Sequence, residues 1–275
     1  MKSAPFDYVS AASVEDAAER LTAGAGGAVV ISGGQSLMPL LALRLAPAET
    51  LVDVSGIAGL KVVAAIPGGV RIGAGVTHAD IEDGKVEVPA RALMQRVAAG
   101  IAYRSIRNHG TIGGSVALAD PAADWPACLL ALGASVRITG PSGERVETID
   151  RFLLGAYTTS LQTGEIITAF DVPQPAEGAR FGWAKVVRKS GAFAMSIGCV
   201  VCVPGVSAAV VLGGTTTRPV AMPETATLVL RGATANEATV RKAIAGDLAS
   251  GAPDADDYQR RLHTATLLRA IGEAA

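Results

Sequence analysis

Ala28-Val29-Val30-Ile31-Ser32-Gly33-Gly34-Gln35-Ser36-Leu37 decides how this chain begins to fold. Four apolar residues, three of them β-branched, read as a buried strand. They run straight into paired glycines flanked by serines. Leu37 to Leu45 then has helical character, with Ser36 at the N-cap position and Pro39 tolerable in the first turn. Thr50-Leu51-Val52-Asp53-Val54 reads as the next strand, so the opening unit is strand, glycine loop, helix, strand. Ahead of it, Ser13-Val14-Glu15-Asp16 has the form of a capping box opening a helix to about Leu21.

A second loop of the same kind lies far along the chain: Gly110-Thr111-Ile112-Gly113-Gly114-Ser115. Both loops join paired glycines to small hydroxyl residues and carry no lysine. Without a Cβ in the way, backbone N–H groups can approach an anion closely. One such loop is a common tight turn. Two in one domain suit a ligand with two phosphates, as in a dinucleotide cofactor. Neither ends in Gly-Lys-Ser/Thr and neither is Gly-x-Gly-x-x-Gly, so neither a Walker nor a Rossmann site is supported. The third glycine run, Gly213-Gly214-Thr215-Thr216-Thr217, reads as structural.

Between and beyond the loops the texture is mostly antiparallel. Lys61 to Ile66 and Val70 to Gly75 flank Pro67-Gly68-Gly69 as a hairpin, and Ala134 to Thr139 and Arg145 to Ile149 form another. Val88 to Ala99 and Asp124 to Leu132 have helical spacing, and Glu165 to Val172 is a strand. Pro173 to Ala179 is the best boundary. Three strands follow, Phe181 to Arg188, Ala194 to Val203 and Val206 to Leu212, then helices near Ala235 to Ala249 and Asp256 to Gly272. The expected fold is α+β. Residues 1–175 form a cofactor-binding domain with subdomains at about 1–56 and 57–175. Residues 176–275 form a C-terminal domain of three antiparallel strands with helices.

Composition narrows the function. The 275 residues are 49% hydrophobic and 18% charged, with a formal net charge of −1 and 4% aromatics. Nucleic-acid binding, which needs a positive footprint, is disfavoured. The longest apolar run, Ala192 to Leu212, is broken by Ser196, Gly198, Pro204, Gly205 and Ser207, and reads as two strands rather than a membrane span. The N-terminus has no apolar signal region, and the three cysteines, Cys128, Cys199 and Cys202, suit a reducing cytoplasm. Cys199-Val200-Val201-Cys202 has metal spacing but lies in an apolar strand with no second Cys/His pair, so it reads as core. Asp120 and Asp124 either cap the helix that follows or meet a ribose or ring edge. Lys185 and Arg188 are either solvated or meet an anionic cofactor. No nucleophile constellation or metal set is present.

Four stretches together resemble the FAD-binding medium subunit of the molybdenum hydroxylases, the group of aerobic carbon monoxide dehydrogenase and xanthine dehydrogenase. They are Ser32 to Leu40 with Arg44-Leu45; Ile106 to Ser115 running into Ala119-Asp120-Pro121-Ala122-Ala123-Asp124; Gly164-Glu165-Ile166-Ile167 through Pro173; and Tyr258 to Leu262 with Leu267 to Ala270. The resemblance implies an FAD whose pyrophosphate sits on Ser32, Gly33, Gly34, Gln35 and Ser36 and on Thr111, Ile112, Gly113, Gly114 and Ser115, with Leu37 also in contact with the cofactor. It also implies cofactor contacts at His78, Asp120, Asp124, Ile167, Lys185 and Phe193, and no catalytic or metal-ligating residue in this chain. The chain departs from the family at Ala192, where an aspartate is frequent, and at Ile101-Ala102-Tyr103-Arg104, where many relatives have a Gly-Asp-Pro turn. The implied partners are a large subunit with the molybdenum cofactor and a small subunit with [2Fe–2S] clusters, assembled as a dimer of heterotrimers. Three cysteines are too few for a cluster here. The rival readings are a self-sufficient flavin oxidase and a cofactor-free scaffold.

Overall fold

The computed structural model describes residues 2–275. The chain opens as β1 (Asp7–Ser10), α1 (Val14–Ala23), β2 (Ala28–Ile31), α2 (Leu37–Ala42) and β3 (Thr50–Asp53). The three strands form a parallel sheet in the order β1-β3-β2, with Leu51 opposite both Tyr8 and Val29. Placing β3 in the centre fits its sequence, since Leu51 and Val52 are buried on opposite faces. β2 is left as an edge strand, and the first glycine loop leaves from its end.

The second unit comprises β4 (Val63–Ile66), β5 (Gly69–Gly73), α3 (His78–Glu82), α4 (Arg91–Ala99), α5 (Arg104–Arg107), α6 (Ile112–Leu118), α7 (Asp124–Ala131), β6 (Ser135–Gly140), β7 (Gly143–Thr148), α8 (Ile149–Phe152), β8 (Leu153–Gly155), β9 (Thr158–Thr159) and β10 (Ile166–Pro173). Its antiparallel sheet runs β4-β5-β10-β6-β7. The two expected hairpins are its outer pairs, and β10 joins them. The third unit comprises β11 (Arg180–Val187), β12 (Ala194–Val203), β13 (Ser207–Gly213), β14 (Val220–Ala221), α9 (Pro223–Leu230), α10 (Glu237–Gly251) and α11 (Asp257–Glu273). Its sheet is β11-β12-β13-β14, so a short fourth strand adds to the three expected.

The mixed α+β architecture is as the sequence indicates. The largest core runs from the five-stranded sheet through Trp125, Phe152 and Phe170 to Trp183, Ile197 and Cys199. Cys202, on the other face of β12, belongs to a separate core with α10 and α11. The two cysteines thus serve opposite faces of one strand, each as a small buried residue, and neither is in a disulfide. The Cys199 sulfur beside it, and then burial, push the Cys128 thiol well above its ordinary range.

Several local expectations need correction. Ser36 precedes α2 in a helical conformation and its side chain makes no capping bond. α2 ends at Ala42 rather than Leu45, and Arg44 turns the chain out with a φ of 59°. At α1 the Ser13 hydroxyl accepts the Asp16 N–H as expected, but the Asp16 carboxylate takes the N–H of Ala12, so the box is not reciprocal. Neither Asp120 nor Asp124 caps α7, whose N-cap is Ala123.

Candidate functional site

A cavity of about 660 Å³ lies between the first two units, within the size of small-molecule sites. Both glycine loops line it. So do Leu21, Val29 and Ile31 towards one side, and Ile101, Ala102, Ile167 and Phe193 towards another. Fifteen of the seventeen expected cofactor residues border it: all but Ile112 and Lys185.

The loops touch. Ser32 Oγ and Thr111 Oγ1 are 3.3 Å apart. A Cβ on Gly33 would fall 1.9 Å from the His109 carbonyl oxygen, so Gly33 is glycine because the second loop packs on it. Gly113 is fixed in the same way, its absent Cβ lying 2.6 Å from that of Ala74. Gly34 has a φ of 69°, a region glycine enters without strain. At Gly114 an added Cβ would meet only Thr111 Oγ1, at 3.1 Å. Gly34 and Gly114 are therefore the glycines left to serve the cavity.

The hydrogen bonding of the loops is unequal. Among the described residues, the N–H groups of residues 33–37 donate to no protein acceptor. These half-buried donors, the last two at the start of α2 where helix N–H groups have no partner within the helix, are available to an anion in the cavity. In the second loop the chain uses its own donors. Ile112 N–H bonds to Val76 O, Gly113 N–H to Ala74 O, Gly114 N–H to Thr111 Oγ1 and Ser115 N–H to Thr111 O. Ile112 is a wholly buried core residue at the start of α6 and has neither side chain nor amide free for a ligand. What the second loop offers is hydroxyl groups at Thr111 and Ser115 and the open approach over Gly114.

Three ionisable groups face the cavity beside the loops. His78, from α3, is buried. Its Nδ1 accepts the indole N–H of Trp125 at 3.0 Å, which puts the ring proton on Nε2. Burial, helped by the charge of Arg107, lowers its pKa to about 4, so it is a neutral donor near pH 7. Asp124 stands in the first turn of α7, its side chain 6% exposed. Lys185 Nζ reaches it from β11, behind the cavity wall, and donates to Oδ2 at 2.8 Å. Nζ is equally close to Oδ1, but the angle does not make a hydrogen bond there, and Oδ1 has no hydrogen-bond partner. Lys185 also donates to Gly100 O at 3.0 Å and is 10% exposed. Burial nonetheless outweighs the lysine and raises Asp124 to about 6. Asp120 closes an Asx turn by accepting the Ala122 N–H, and Tyr157 donates to its other oxygen at 3.4 Å. Lys185 is thus largely buried and paired, whereas Arg188 is exposed.

Sequence reasoning missed the stretch Leu161-Gln162-Thr163, which also lines the cavity, and the wall at Ile101-Ala102. Neither has a side chain of distinctive chemistry, so composition gave no signal. The third glycine run has a structural place: Gly214 N–H donates to Pro121 O and so braces the loop that carries Asp120.

The open N–H groups of the first loop, the buried Asp124 carboxyl and the largely apolar walls fit a long ligand with an anionic middle and flat ends. Comparison with known proteins agrees. A family described as "FAD binding domain in molybdopterin dehydrogenase" matches residues 4–175. The nicotine 6-hydroxylase medium subunit of Paenarthrobacter nicotinovorans is 36% identical over 196 residues, 71% of this chain and 68% of that protein. The carbon monoxide dehydrogenase medium chain of Afipia carboxidovorans is 32% identical over 278 residues, 98% of this chain and 96% of that one. The solved structure of reconstituted CO dehydrogenase from Oligotropha carboxidovorans superposes with a TM-score of 0.92. It is 33% identical and covers 100% of this chain and 99% of its own.

Proposed function

The chain belongs to the FAD-binding medium subunits of the molybdenum hydroxylases, and from that membership we propose how its cavity is used. The observation that carries the reading is the run of N–H groups at residues 33–37 without protein partners, in a loop that lines one cavity with Thr111 and Ser115. These groups hold the diphosphate of FAD, and Gly34 and Gly114 leave room for it. Leu21, Val29 and Ile31 line the adenosine end. Ile101, Ile167, Asp124 and Phe193 line the end for the ring system. Bound there, FAD supplies a carrier that exchanges electrons singly or in pairs.

The surrounding residues set the environment of that ring. His78 stays neutral and offers Nε2–H, a donor without charge. Asp124, raised to about 6, can hold or release a proton at Oδ1 near neutral pH. Lys185 orients that carboxyl from behind the wall. These are positioning and protonation roles. None of these residues is assigned a bond-making step on substrate.

In this reading the chain is a relay subunit in the cytoplasm. It holds FAD between a small partner carrying [2Fe–2S] clusters and an external acceptor, and a large partner carries the molybdenum cofactor. The assembly is a dimer of heterotrimers. The scaffold alternative does not suit a loop whose donors stay open. The oxidase alternative predicts turnover by the lone chain, and the relay predicts none. The purified chain, loaded with FAD, should not oxidise carbon monoxide or N-heterocycles, and the assembled complex should have its flavin bleached by its own substrate. Turnover by the lone chain at the rate of the complex would replace the relay with the oxidase.

A further inference from the structure

The turn between β11 and β12, residues 188–193, carries Phe193 into the lining of the cavity, although the residue is 63% exposed. Lys189 to Ala192 close on themselves, the Ala192 N–H donating to Lys189 O at 3.1 Å. The turn has one strong tie to the opposite wall. Tyr103 donates its hydroxyl to Ser190 O at 3.0 Å. Its ring lies against Gly191, which has a φ of 78°. A Cβ there would fall 2.5 Å from Tyr103 Cζ. Tyr103 is 56% exposed and otherwise has little reason to hold one position.

The wall that carries Tyr103 is rigid. Arg107, 12% exposed at its side chain, pairs through Nε and Nη2 with Glu82, at 2.7 and 2.8 Å. Its Nη1 donates to the carbonyls of Ile101 and Ala102, at 3.0 and 3.3 Å. Those two residues line the cavity, and Ala102 has a φ of 43°, a conformation that alanine keeps only when its surroundings impose it. The chain Glu82, Arg107, Ala102, Tyr103, Ser190 and Phe193 thus links α3 to the rim of the cavity.

We propose that Tyr103 is a positioning residue that pins the 188–193 turn to the 101–103 wall and so holds Phe193 over one end of the cavity. That the isoalloxazine lies beneath Phe193 rests on the function proposed above. The pinning itself does not. With the turn pinned, small solutes reach the ring system slowly. Loss of Tyr103 opens that end without touching the phosphate loops.

Two readouts on the full-length chain separate these statements. Arg188 and Lys189 are exposed trypsin sites in the turn. Tyr103→Ala should speed cleavage there by about ten-fold, because hydrogen-bond and ring contacts both leave the closed state. Tyr103→Phe, which keeps the ring, should fall between. Gly191→Ala should reproduce Tyr103→Ala from the other side, which keeps the test decisive if one variant folds poorly. In FAD-loaded protein, quenching of flavin fluorescence by iodide should rise about three-fold in Tyr103→Ala at an unchanged thermal midpoint. Unchanged cleavage in both Tyr103→Ala and Gly191→Ala overturns the pinning. Faster cleavage with unchanged quenching overturns the shielding role. A chain that binds no FAD would sink the proposed function, while the cleavage result still decides the pinning.

Discussion

Replacing Lys185 by methionine should destabilise the flavin-free chain more in alkaline solution than in mild acid. Methionine keeps most of the buried stem and removes only the ammonium, so the effect runs through Asp124. The sign follows from the raised pKa. Asp124 titrates near 6 when folded and at 3.8 when unfolded. A raised folded pKa means that folding favours the protonated form, so its contribution is most favourable below 3.8 and is lost as pH rises through 6. In the wild type the loss levels off above 6 at about 3 kcal/mol, the shift multiplied by the energy of one pH unit. Without Lys185 the buried carboxylate has no counter-charge, and the group stays protonated to higher pH. At pH 8 the loss is then larger than in the wild type by about 1.4 kcal/mol for each pH unit by which the variant's Asp124 is raised further, so the variant is the less stable protein. At pH 5 both proteins carry a protonated Asp124, and the difference shrinks to the lost hydrogen bonds to Gly100 O and to the neutral carboxyl, about 1 kcal/mol each. Urea unfolding of both proteins at the two pH values measures this. Adding Asp124→Asn to Lys185→Met should flatten the pH dependence. A destabilisation equal at pH 8 and pH 5 would refute the reasoning, since the lysine would then act through packing alone.

Two other predictions follow from the same cavity. Gly114→Val should empty the flavin from the purified complex while leaving the chain folded. Gly33→Ala should instead lower the thermal midpoint, because its Cβ would meet the His109 carbonyl. A folded Gly114→Val complex with full flavin absorbance, or a Gly33→Ala chain as stable as wild type, would contradict this division. His78 has a lowered folded pKa, about 4 against 6.5, so its contribution is fully present above 6.5 and falls away as pH drops towards 4. His78→Gln should therefore remove about 3 kcal/mol of acid destabilisation across that window. Identical pH profiles of unfolding in the two proteins would refute it.

The glycine loops were legible because paired glycines beside small hydroxyl residues stand out by residue type, although what keeps Gly33 and Gly113 as glycine is packing against His109 and Ala74, which no local pattern shows. A strand ending in Ser32-Gly33-Gly34 can be read from residue types, as can the turns Pro67-Gly68-Gly69 and Pro141-Ser142-Gly143. The short helices were harder. α3 spans only His78–Glu82, too few residues for a periodic pattern, yet it has a complete capping box between Thr77 and Asp80. α9 starts at Pro223, a first-turn signal that went unread. The Asp124–Lys185 pair joins residues far apart in sequence, so neither its burial nor its pKa could be read from spacing. Lys185 looks solvated beside Arg188, and only the pairing of β11 with β12 brings it behind the cavity while Arg188 stays outside.

The two loops look alike in sequence and divide the work. In the first, the donors at residues 33–37 are left open and Gly34 takes a left-handed φ. In the second, the same chemistry is turned inward. Its amides bond to Val76, Ala74 and Thr111, locking it to the segment after β5, and its His109–Gly110 backbone forms the surface on which Gly33 rests. Gly110 is also glycine for a packing reason, since a Cβ there would lie 2.8 Å from His78 Nε2. The buried histidine, tied in turn to Trp125, therefore helps set the height of the second loop, and the second loop sets that of the first. An open loop would otherwise relax, because unpaired N–H groups seek partners. Here the floor beneath it is built from side chains in the largest core. The first loop can keep its donors open because the second loop, tied by its own amides to the segment after β5, gives Gly33 a fixed surface to rest on.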